Sequence, residues 1–288
     1  EARDCEPVEG RLVLYLQDIY PDVAMRLGVL TNARVIASFQ ALERFVYRKA
    51  AAVSVISDGF RRNLLAKGVP SPKVHVIPNF VDPDFVRPLP RRNRFSHAQD
   101  LDDRYVVLFA GNVGLSQGLE FVLEAACLLA AKPGILFLIV GNGVSKPGLL
   151  RRAEEMGLRN VRFLPFQPRE AVPELYAASD LCLVPLRRGI TQDSVPSKVY
   201  TIMAAGKPMV ATVDEGSDTW QFIQNTGCGL VVPPEDPKAL AQAILTLYQD
   251  QALGHALGRS GRERVEQDFT PQTVAREYAE LLGRVVGE

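Results

Sequence analysis

Two glycine-containing turns are the features of this sequence that first suggest a ligand. The turn G-N-V-G-L-S-Q-G follows the apolar run Tyr105–Ala110, and residues 141–143 follow the run Ile135–Val140. Backbone N–H groups in such turns can approach a phosphate, and a helix that follows favours an anion at its N-terminus. Because the carboxyl ends of parallel strands share one edge of a sheet, both turns should line one crevice. The alternative is that both segments are tight strand-to-helix turns that bind no ligand.

A third segment, T-Q-D-S-V-P-S-K-V-Y-T-I-M-A-A-G-K-P, adds a lysine to the predicted anion site. Asp193 and Ser194 are expected in a loop, Pro196 in the first turn of a short helix, and Lys198 two residues later. The lysine, two hydroxyls and free N–H groups would converge on an anion, and each charge-assisted contact to a diphosphate is worth about 1.5–3 kcal/mol. The alternative is a solvated loop with a surface lysine.

Composition limits the partners. The 288 residues are 47% hydrophobic and 23% charged, with 33 basic and 33 acidic residues, so no overall charge favours nucleic acid. The four cysteines are far apart, which excludes a cysteine-rich metal site and favours a reducing compartment, the cytoplasm. No apolar run is long enough to span a bilayer. None of His75, His97 and His255 has a partner at a useful spacing.

Short apolar runs alternate with amphipathic stretches, a rhythm typical of parallel sheets covered by helices. Strands are predicted at residues 12–16, 53–56, 74–77, 105–110, 135–140, 161–164, 181–184, 209–212 and 229–232. Helices are predicted at residues 33–50, 119–131, 148–156, 171–177, 237–249 and 273–286. The fold class is therefore α/β, with two Rossmann-like domains.

The domain organisation follows from the strand count and from a proline-rich segment. Residues 1–88 hold three strands, which is half a domain, so we expect an N-terminal portion of roughly one hundred residues to be absent. Residues 89–104 are predicted to be a linker, residues 105–270 a complete second domain that carries both glycine turns, and residues 271–288 a helix packing back toward the first domain.

The order of motifs resembles a known family. G-N-V-G-L-S-Q-G-L, V-G-N-G, N-V-R-F-L-P-F-Q, A-A-S-D-L-C-L-V-P, V-P-S-K-V-Y-T-I-M-A-A-G-K-P and G-C-G-L-V-V-P-P are similar to the C-terminal domain of family-4 retaining glycosyltransferases. Upstream, L-Q-D-I-Y-P-D and V-I-P-N-F-V-D resemble the second half of that family's N-terminal domain. The likeness is greatest to the bacterial polysaccharide branch that includes fucosamine transferases.

The resemblance implies a GT-B-type architecture that binds a nucleoside-diphosphate sugar, with residues 105–270 as the nucleotide-sugar donor-binding domain and with no metal and no other cofactor. It implies transfer of a hexosyl or acetamidohexosyl group from a UDP sugar to a glycan or lipid-linked acceptor in cell-surface polysaccharide or lipopolysaccharide synthesis. The donor-binding residues that it implies are Gly111, Asn112, Gly114, Gln117, Gly118, Gly141, Asn142, Gly143, Phe166, Gln167, Ser194, Val195, Pro196, Ser197 and Thr201.

The catalytic candidates are Lys198, Asp193 and Asp18. Many family members carry arginine and lysine in the first glycine turn, where this sequence has Asn112 and Gln117, so the diphosphate would depend on backbone N–H groups and Lys198. The family's two acidic residues eight apart appear here as Asp193 and Thr201. Asp18 follows the first strand, where a helix cap is the alternative role. Phe166 and Gln167 match the base-reading segment, although Phe166 could simply pack in a core.

Other functions stay open from the sequence alone. A nucleotide-binding scaffold without turnover, or a truncated one, fits the missing basic residues of the first turn. A sugar-nucleotide epimerase of the same architecture is a further enzymatic alternative, whereas an NAD-dependent oxidoreductase fits less well because G-x-G-x-x-G is absent. A basic cluster could bring the first domain to anionic lipid on the inner membrane face, or could be a solvated helical face. That cluster consists of Arg44, Arg48, Lys49, Arg61 and Arg62.

Overall fold

The computed structural model describes residues 10–26, 28–190 and 195–287. It divides into two compact units, unit 1 with the bounds Glu1–Pro78 and Ala275–Glu288, and unit 2 with the bounds Asn79–Val274. Asp193 and Ser194, together with Cys5, lie outside the described residues.

Unit 1 contains one small parallel sheet and its covering helices. Its strands are β1 (Val13–Leu16), β2 (Ala52–Val55) and β3 (Val74–Val76), paired in the order β1-β2-β3. Its helices are α1 (Asp22–Arg26), α2 (Ala33–Lys49) and α3 (Asp58–Ala66).

Unit 2 carries the larger sheet. Its strands are β4 (Tyr105–Ala110), β5 (Ile135–Val140), β6 (Val161–Leu164), β7 (Leu181–Pro185), β8 (Met209–Thr212) and β9 (Gly229–Val232). Its helices are α4 (Arg94–Ala98), α5 (Leu119–Leu128), α6 (Lys146–Glu155), α7 (Val172–Ala177), α8 (Lys198–Ala204), α9 (Asp218–Thr226), α10 (Pro237–Gln249) and α11 (Gln251–Asp268). The chain ends in α12 (Pro271–Gly287), whose residues from Ala275 onward belong to unit 1.

The six strands of unit 2 are all parallel and run in the order β6-β5-β4-β7-β8-β9. The runs Y-V-V-L-F-A and I-L-F-L-I-V form the central strands because helices cover both faces of the sheet, and each face has its own apolar core. The strand order reverses between β4 and β7, where open α/β sheets bind their ligands. The nine predicted strands and the α/β fold class are confirmed.

The segment for which the sequence predicted a linker is a packed part of unit 2. Phe95 and Leu101 are buried, and Leu101 is 0% exposed. Asn93 and Ser96 form a capping box at the start of α4. Arg91 forms a bidentate ion pair with Asp180, at 2.8 and 2.9 Å. Apolar anchors and this ion pair hold residues 89–104 against the sheet, features that a proline count does not reveal.

Helix α11 was not predicted, because its sequence, Q-A-L-G-H-A-L-G-R-S-G-R-E-R-V-E-Q-D, contains three glycines, which disfavour helix. The structure gives the reason for the glycines. A Cβ atom on Gly258 would lie 2.2 Å from the carbonyl oxygen of Gly206, and one on Gly261 would lie 3.0 Å from Cβ of Cys228. The glycines therefore let α11 approach the end of α8 more closely than any side chain would allow.

Residues 275–287 of α12 pack within unit 1. The Tyr278 hydroxyl lies 3.0 Å from the Ser54 hydroxyl on β2, and its ring meets that of Tyr15 edge-on. Arg11 donates a hydrogen bond of 2.7 Å to the carbonyl oxygen of Val285. The C-terminal end of the chain is thus part of the same compact unit as its first strands.

Candidate functional site

The candidate site lies in unit 2, at the carboxyl edge of the sheet where the strand order reverses. The turn after β4 and the N-terminus of α8 meet there. Gly118 adopts a left-handed conformation, with φ of 56°, immediately before α5. A glycine is needed there because other residues adopt this conformation at a cost.

The two glycine turns pack against each other. A Cβ atom on Gly141 would lie 1.8 Å from the carbonyl oxygen of Gly111, and one on Gly143 would lie 2.3 Å from that of Val113. The Val113 N–H donates a hydrogen bond of 2.9 Å to the Asn142 carbonyl oxygen. The structure thus brings the two predicted turns together, and this close contact by itself requires glycine at 141 and 143.

Lys198 is the first residue of α8, and its half-buried side chain points at the first glycine turn. Its Nζ atom donates a hydrogen bond of 3.1 Å to Oε1 of Gln117 and lies 4.1 Å from the centre of the Phe109 ring. Burial lowers the pKa of this ammonium to about 7. Lys198 is therefore not a solvated surface lysine but a partly desolvated cation beside the turn.

The residues around Lys198 divide between core and surface. Val195 is buried in the core, and the Ser197 side chain at the N-cap of α8 is exposed. Pro196 was predicted in the first helical turn, but the helix begins at Lys198, so Pro196 precedes the cap and accepts a hydrogen bond from the Val199 N–H. Thr201, one turn along, is half-buried.

Phe166 and Gln167 follow β6 at the same carboxyl edge of the sheet. Phe166 is 56% exposed, so it does not pack in the core. The Gln167 Nε2 atom donates a hydrogen bond of 3.0 Å to the Pro165 carbonyl oxygen. An exposed aromatic ring beside ordered backbone is a surface on which a planar base could stack.

Two cations at this edge were missed from the sequence. Lys146 donates hydrogen bonds to the carbonyl oxygens of Gly141 and Leu164, at 2.7 and 2.9 Å, and to Oδ1 of Asn142 at 2.9 Å. Arg187, after β7, pairs with Glu120 and donates to the Leu115 carbonyl oxygen at 2.7 Å. Both cations come soon after a strand, and this position was the available signal. Their contacts stabilise the two glycine turns.

In unit 1, Asp18 is an exposed residue two positions after β1. Helix α1 begins four residues later, at Asp22, so Asp18 is not at its N-cap position. Partial burial raises the pKa of the Asp18 carboxyl above its ordinary value. Of the predicted basic cluster, Arg44, Arg48 and Lys49 lie on α2, whereas Arg61 and Arg62 lie on α3.

Within residues 10–26, 28–190 and 195–287, no group of three or more His, Cys, Asp or Glu side chains is placed to hold a metal ion. Cys127, Cys182 and Cys228 are free thiols. Among the helices of the described residues, none has the length and apolar character needed to cross a membrane.

A doubly wound parallel sheet, with glycine turns and a lysine at its switch point, defines the class of open-sheet α/β proteins that bind ligands at this edge. Comparison of the chain with models of known protein families identifies its family within this class. Residues 91–264 match the model for glycosyl transferases group 1, and residues 11–79 match a glycosyl transferase 4-like domain. The chain belongs to the glycosyl transferases group 1 family.

Individual relatives agree with this assignment. WcaI of Escherichia coli (strain K12), named as a candidate colanic acid biosynthesis glycosyl transferase, is 32% identical over 94% of this chain and 64% of its own length. The probable glycosyltransferase WbjE of Pseudomonas aeruginosa is 29% identical over 96% of this chain and 69% of its own length. The chain thus spans about two thirds of these relatives.

Solved structures show the same fold. Anabaena HepE in complex with UDP-glucose superimposes with a TM-score of 0.80 at 20% identity, over 95% of this chain and 72% of HepE. WaaG, a glycosyltransferase involved in lipopolysaccharide biosynthesis, gives a TM-score of 0.75 at 19% identity, over 92% of this chain and 73% of WaaG. The fold is therefore GT-B-like α/β, with parallel sheets.

Proposed function

We propose that this chain carries the donor-binding part of a retaining glycosyltransferase. The enzyme moves a hexosyl or acetamidohexosyl group from a nucleoside-diphosphate sugar, with UDP as the nucleotide, to a glycan or lipid-linked acceptor in cell-surface polysaccharide synthesis. The observation that supports this most is the half-buried Lys198, held against the glycine turn where the strand order of the sheet reverses.

The chemistry of glycosyl transfer explains why this arrangement is useful. When the bond between the sugar and the diphosphate breaks, negative charge develops on the leaving phosphate, and fixed donors lower the barrier most when they are already in place. Lys198 provides the cation. The N–H groups of Gly111, Val113 and Gln117 already donate within the fold, so the further donors are the other N–H groups of the first glycine turn, around Gly114 to Gly118. We propose that this set works without a metal ion.

The nucleobase is proposed to lie against Phe166 and Gln167. The exposed Phe166 ring offers a stacking surface, and the backbone around Gln167 offers hydrogen-bonding groups that distinguish one base edge from another. UDP is chosen because the fold neighbour HepE is described in complex with UDP and with UDP-glucose. The proposed roles of Asp18 and Asp193 in catalysis stay predictions.

Isothermal titration with UDP, GDP, ADP and TDP, in the presence of EDTA, tests the proposal. We expect UDP to bind in preference to the others, and magnesium to leave its affinity unchanged. At pH 8, binding should also take up close to one proton, because the diphosphate raises the pKa of Lys198 from its low starting value of about 7. Titrations in buffers of different ionisation enthalpy measure this uptake.

The outcomes of that titration separate the alternatives. Binding of NAD in place of every nucleoside diphosphate would overturn the donor-site proposal. UDP binding that requires magnesium would instead overturn the proposal that the site works without a metal ion. With UDP binding established, product formation in the presence of membrane extracts and radiolabelled UDP sugars distinguishes a transferase from a scaffold. Conversion of the free UDP sugar to its epimer would instead identify an epimerase.

We further propose that unit 1 contacts the inner face of the plasma membrane through α2. The exposed side of this helix combines apolar residues with cations. The acidic residue of the helix, Glu43, accepts hydrogen bonds from Lys67 and Tyr47. Such a face suits the interface of an anionic bilayer. The exposed apolar residues of α2 are Val35, Phe39, Leu42 and Phe45, and its cations are Arg34, Arg44, Arg48 and Lys49.

Co-sedimentation with vesicles tests this contact. The chain should bind phosphatidylglycerol vesicles and not phosphatidylcholine vesicles, and the double change Arg44→Glu with Arg48→Glu should weaken binding at least tenfold, at about 1 kcal/mol for each lost cation plus the repulsion of each new acid. The pair Arg151→Glu and Arg159→Glu, on the exposed surface of unit 2, is the matched control. Equal loss in both pairs, or no preference for anionic lipid, would contradict the proposal.

A further inference from the structure

Three groups from β4 and the turn that follows it lie next to the ammonium group of Lys198. The Gln117 side chain comes from the turn after β4, the Phe109 ring from β4 itself, and the backbone of Gly111 from the first residue after that strand. A Cβ atom on Gly111 would lie 3.5 Å from Nζ of Lys198, so the glycine leaves the ammonium open contact with the backbone of the turn.

Each of these neighbours has a definite effect on a partly desolvated cation. The Gln117 amide oxygen accepts a hydrogen bond that favours the charged form, and the face of the Phe109 ring attracts a cation weakly. The Gln117 Nε2 atom donates a hydrogen bond of 3.0 Å to the Ser116 hydroxyl. This second bond turns the amide so that its oxygen points to Lys198.

Among the described residues, two charged side chains on the segments that flank the turn, Arg187 and Glu120, are paired with each other. The pKa of Lys198 is low because burial removes water from its ammonium group. Within the part of the chain that the structure describes, the neutral Gln117 amide supplies a hydrogen bond that offsets the burial of this ammonium.

We propose that Gln117 is a positioning residue for Lys198. Its amide oxygen holds the ammonium against the glycine turn and sets the pH range in which the site is cationic. This inference rests on the proposed function only where it names a diphosphate as the ligand. The Gln117–Lys198 contact itself can be tested in the unliganded chain.

The direct test is an NMR titration of lysine side-chain nitrogens in the 288-residue chain, with the Lys198 signal assigned by its loss in Lys198→Arg. Gln117→Leu removes the acceptor and should lower the titration midpoint of Lys198 by roughly one pH unit, whereas Gln117→Glu adds a negative charge and should raise it by about 1 to 3 pH units. Gln242→Leu and Gln242→Glu, on the exposed side of α10, are matched controls that should leave it unchanged.

UDP affinity supplies a second measurement that a merely structural role would not reproduce. If the midpoint falls by one pH unit from about 7, the protonated fraction of Lys198 falls roughly tenfold at pH 8 and twofold at pH 6. Gln117→Leu should therefore weaken UDP binding more at pH 8 than at pH 6. A variant that merely disturbed the turn would weaken it equally at both.

The outcomes for Gln117 and for the proposed function are separable. An unchanged Lys198 midpoint in both Gln117 variants overturns the positioning role, whether or not UDP binds. A wild-type chain that binds no nucleotide contradicts the proposed function, while the unliganded titration still decides the role of Gln117. Thermal unfolding of each variant checks that it is folded before either measurement is interpreted.

Discussion

Replacement of Lys198 by methionine is expected to weaken UDP binding by roughly 10- to 150-fold and at the same time to raise the thermal stability of the chain. The loss of affinity corresponds to one charge-assisted contact of about 1.5–3 kcal/mol. Methionine is close to lysine in length, and its thioether can contact the Phe109 ring in place of the ammonium. Isothermal titration at pH 6.5 measures the affinity.

The gain in stability has a defined pH dependence. Burial lowers the pKa of Lys198 from 10.5 to about 7, so the folded state binds its proton less tightly than the unfolded state does. The lysine therefore costs the wild type its full amount of stability below pH 7, and this cost falls as the pH rises from 7 toward 10.5. The Tm advantage of Lys198→Met should be largest below pH 7 and should shrink by pH 9.

Lys238→Met is the matched control for this experiment, since Lys238 is an exposed residue in the first turn of α10. It should alter neither UDP affinity nor the pH dependence of Tm. If Lys198→Met unfolded at a lower temperature than the wild type below pH 7, the predicted stability cost of the buried ammonium would be wrong. Unchanged UDP affinity in this variant would contradict the assignment of Lys198 to the donor site. A variant that is more stable than the wild type but no longer binds UDP would indicate that the lysine is retained for function and not for stability.

Among the Gly→Ala substitutions in α11, Gly258→Ala should lower the free energy of unfolding the most. The new Cβ atom would lie 2.2 Å from the carbonyl oxygen of Gly206, which is backbone and cannot rotate away. Overpacking typically costs 1–3 kcal/mol, and we expect about 3 kcal/mol or more here because the contact is with main chain. Urea unfolding followed by circular dichroism measures the change in the free energy of unfolding.

Gly254→Ala, one turn earlier in the same helix, provides the matched control. Its Cβ atom would lie 3.7 Å from Cγ of Pro208, which is an ordinary contact. Alanine is the better helix former, so this variant should be more stable than the wild type by about 0.5–1 kcal/mol. Equal effects at 254 and 258 would show that the closeness of α11 to the end of α8 does not matter for stability.

The packing of α11 against the end of α8 also affects the candidate site. Helix α8 begins with Lys198 and ends next to Gly206, the residue that Gly258 approaches. Arg262, also on α11, donates a hydrogen bond of 2.7 Å to the carbonyl oxygen of Ala204. The close packing of α11 thus fixes the far end of the short helix that carries the lysine, which connects a glycine in the core to the position of the cation.

The sequence by itself determined the features that depend on neighbouring residues. The apolar runs gave all nine strands. Strands β5 and β7 are buried and apolar along their whole length, as parallel strands covered on both faces are, whereas β1, β6 and β9 are only partly buried. The position of glycine turns after two of these strands predicted their meeting, because parallel strands end at one edge. The motif V-P-S-K placed Lys198 at the start of a short helix, within one or two residues.

The tertiary structure alone decided the features that depend on distant segments. It showed that Gln117 contacts a lysine 81 positions later in the chain, and that burial there lowers the pKa of this lysine. It revealed α11, whose glycines disfavour a helix locally and are explained by the backbone of Gly206. Propensity is set by the nearest residues, whereas desolvation and close packing are set by whatever the fold brings into contact, and the chemistry of this site depends on the second kind of information.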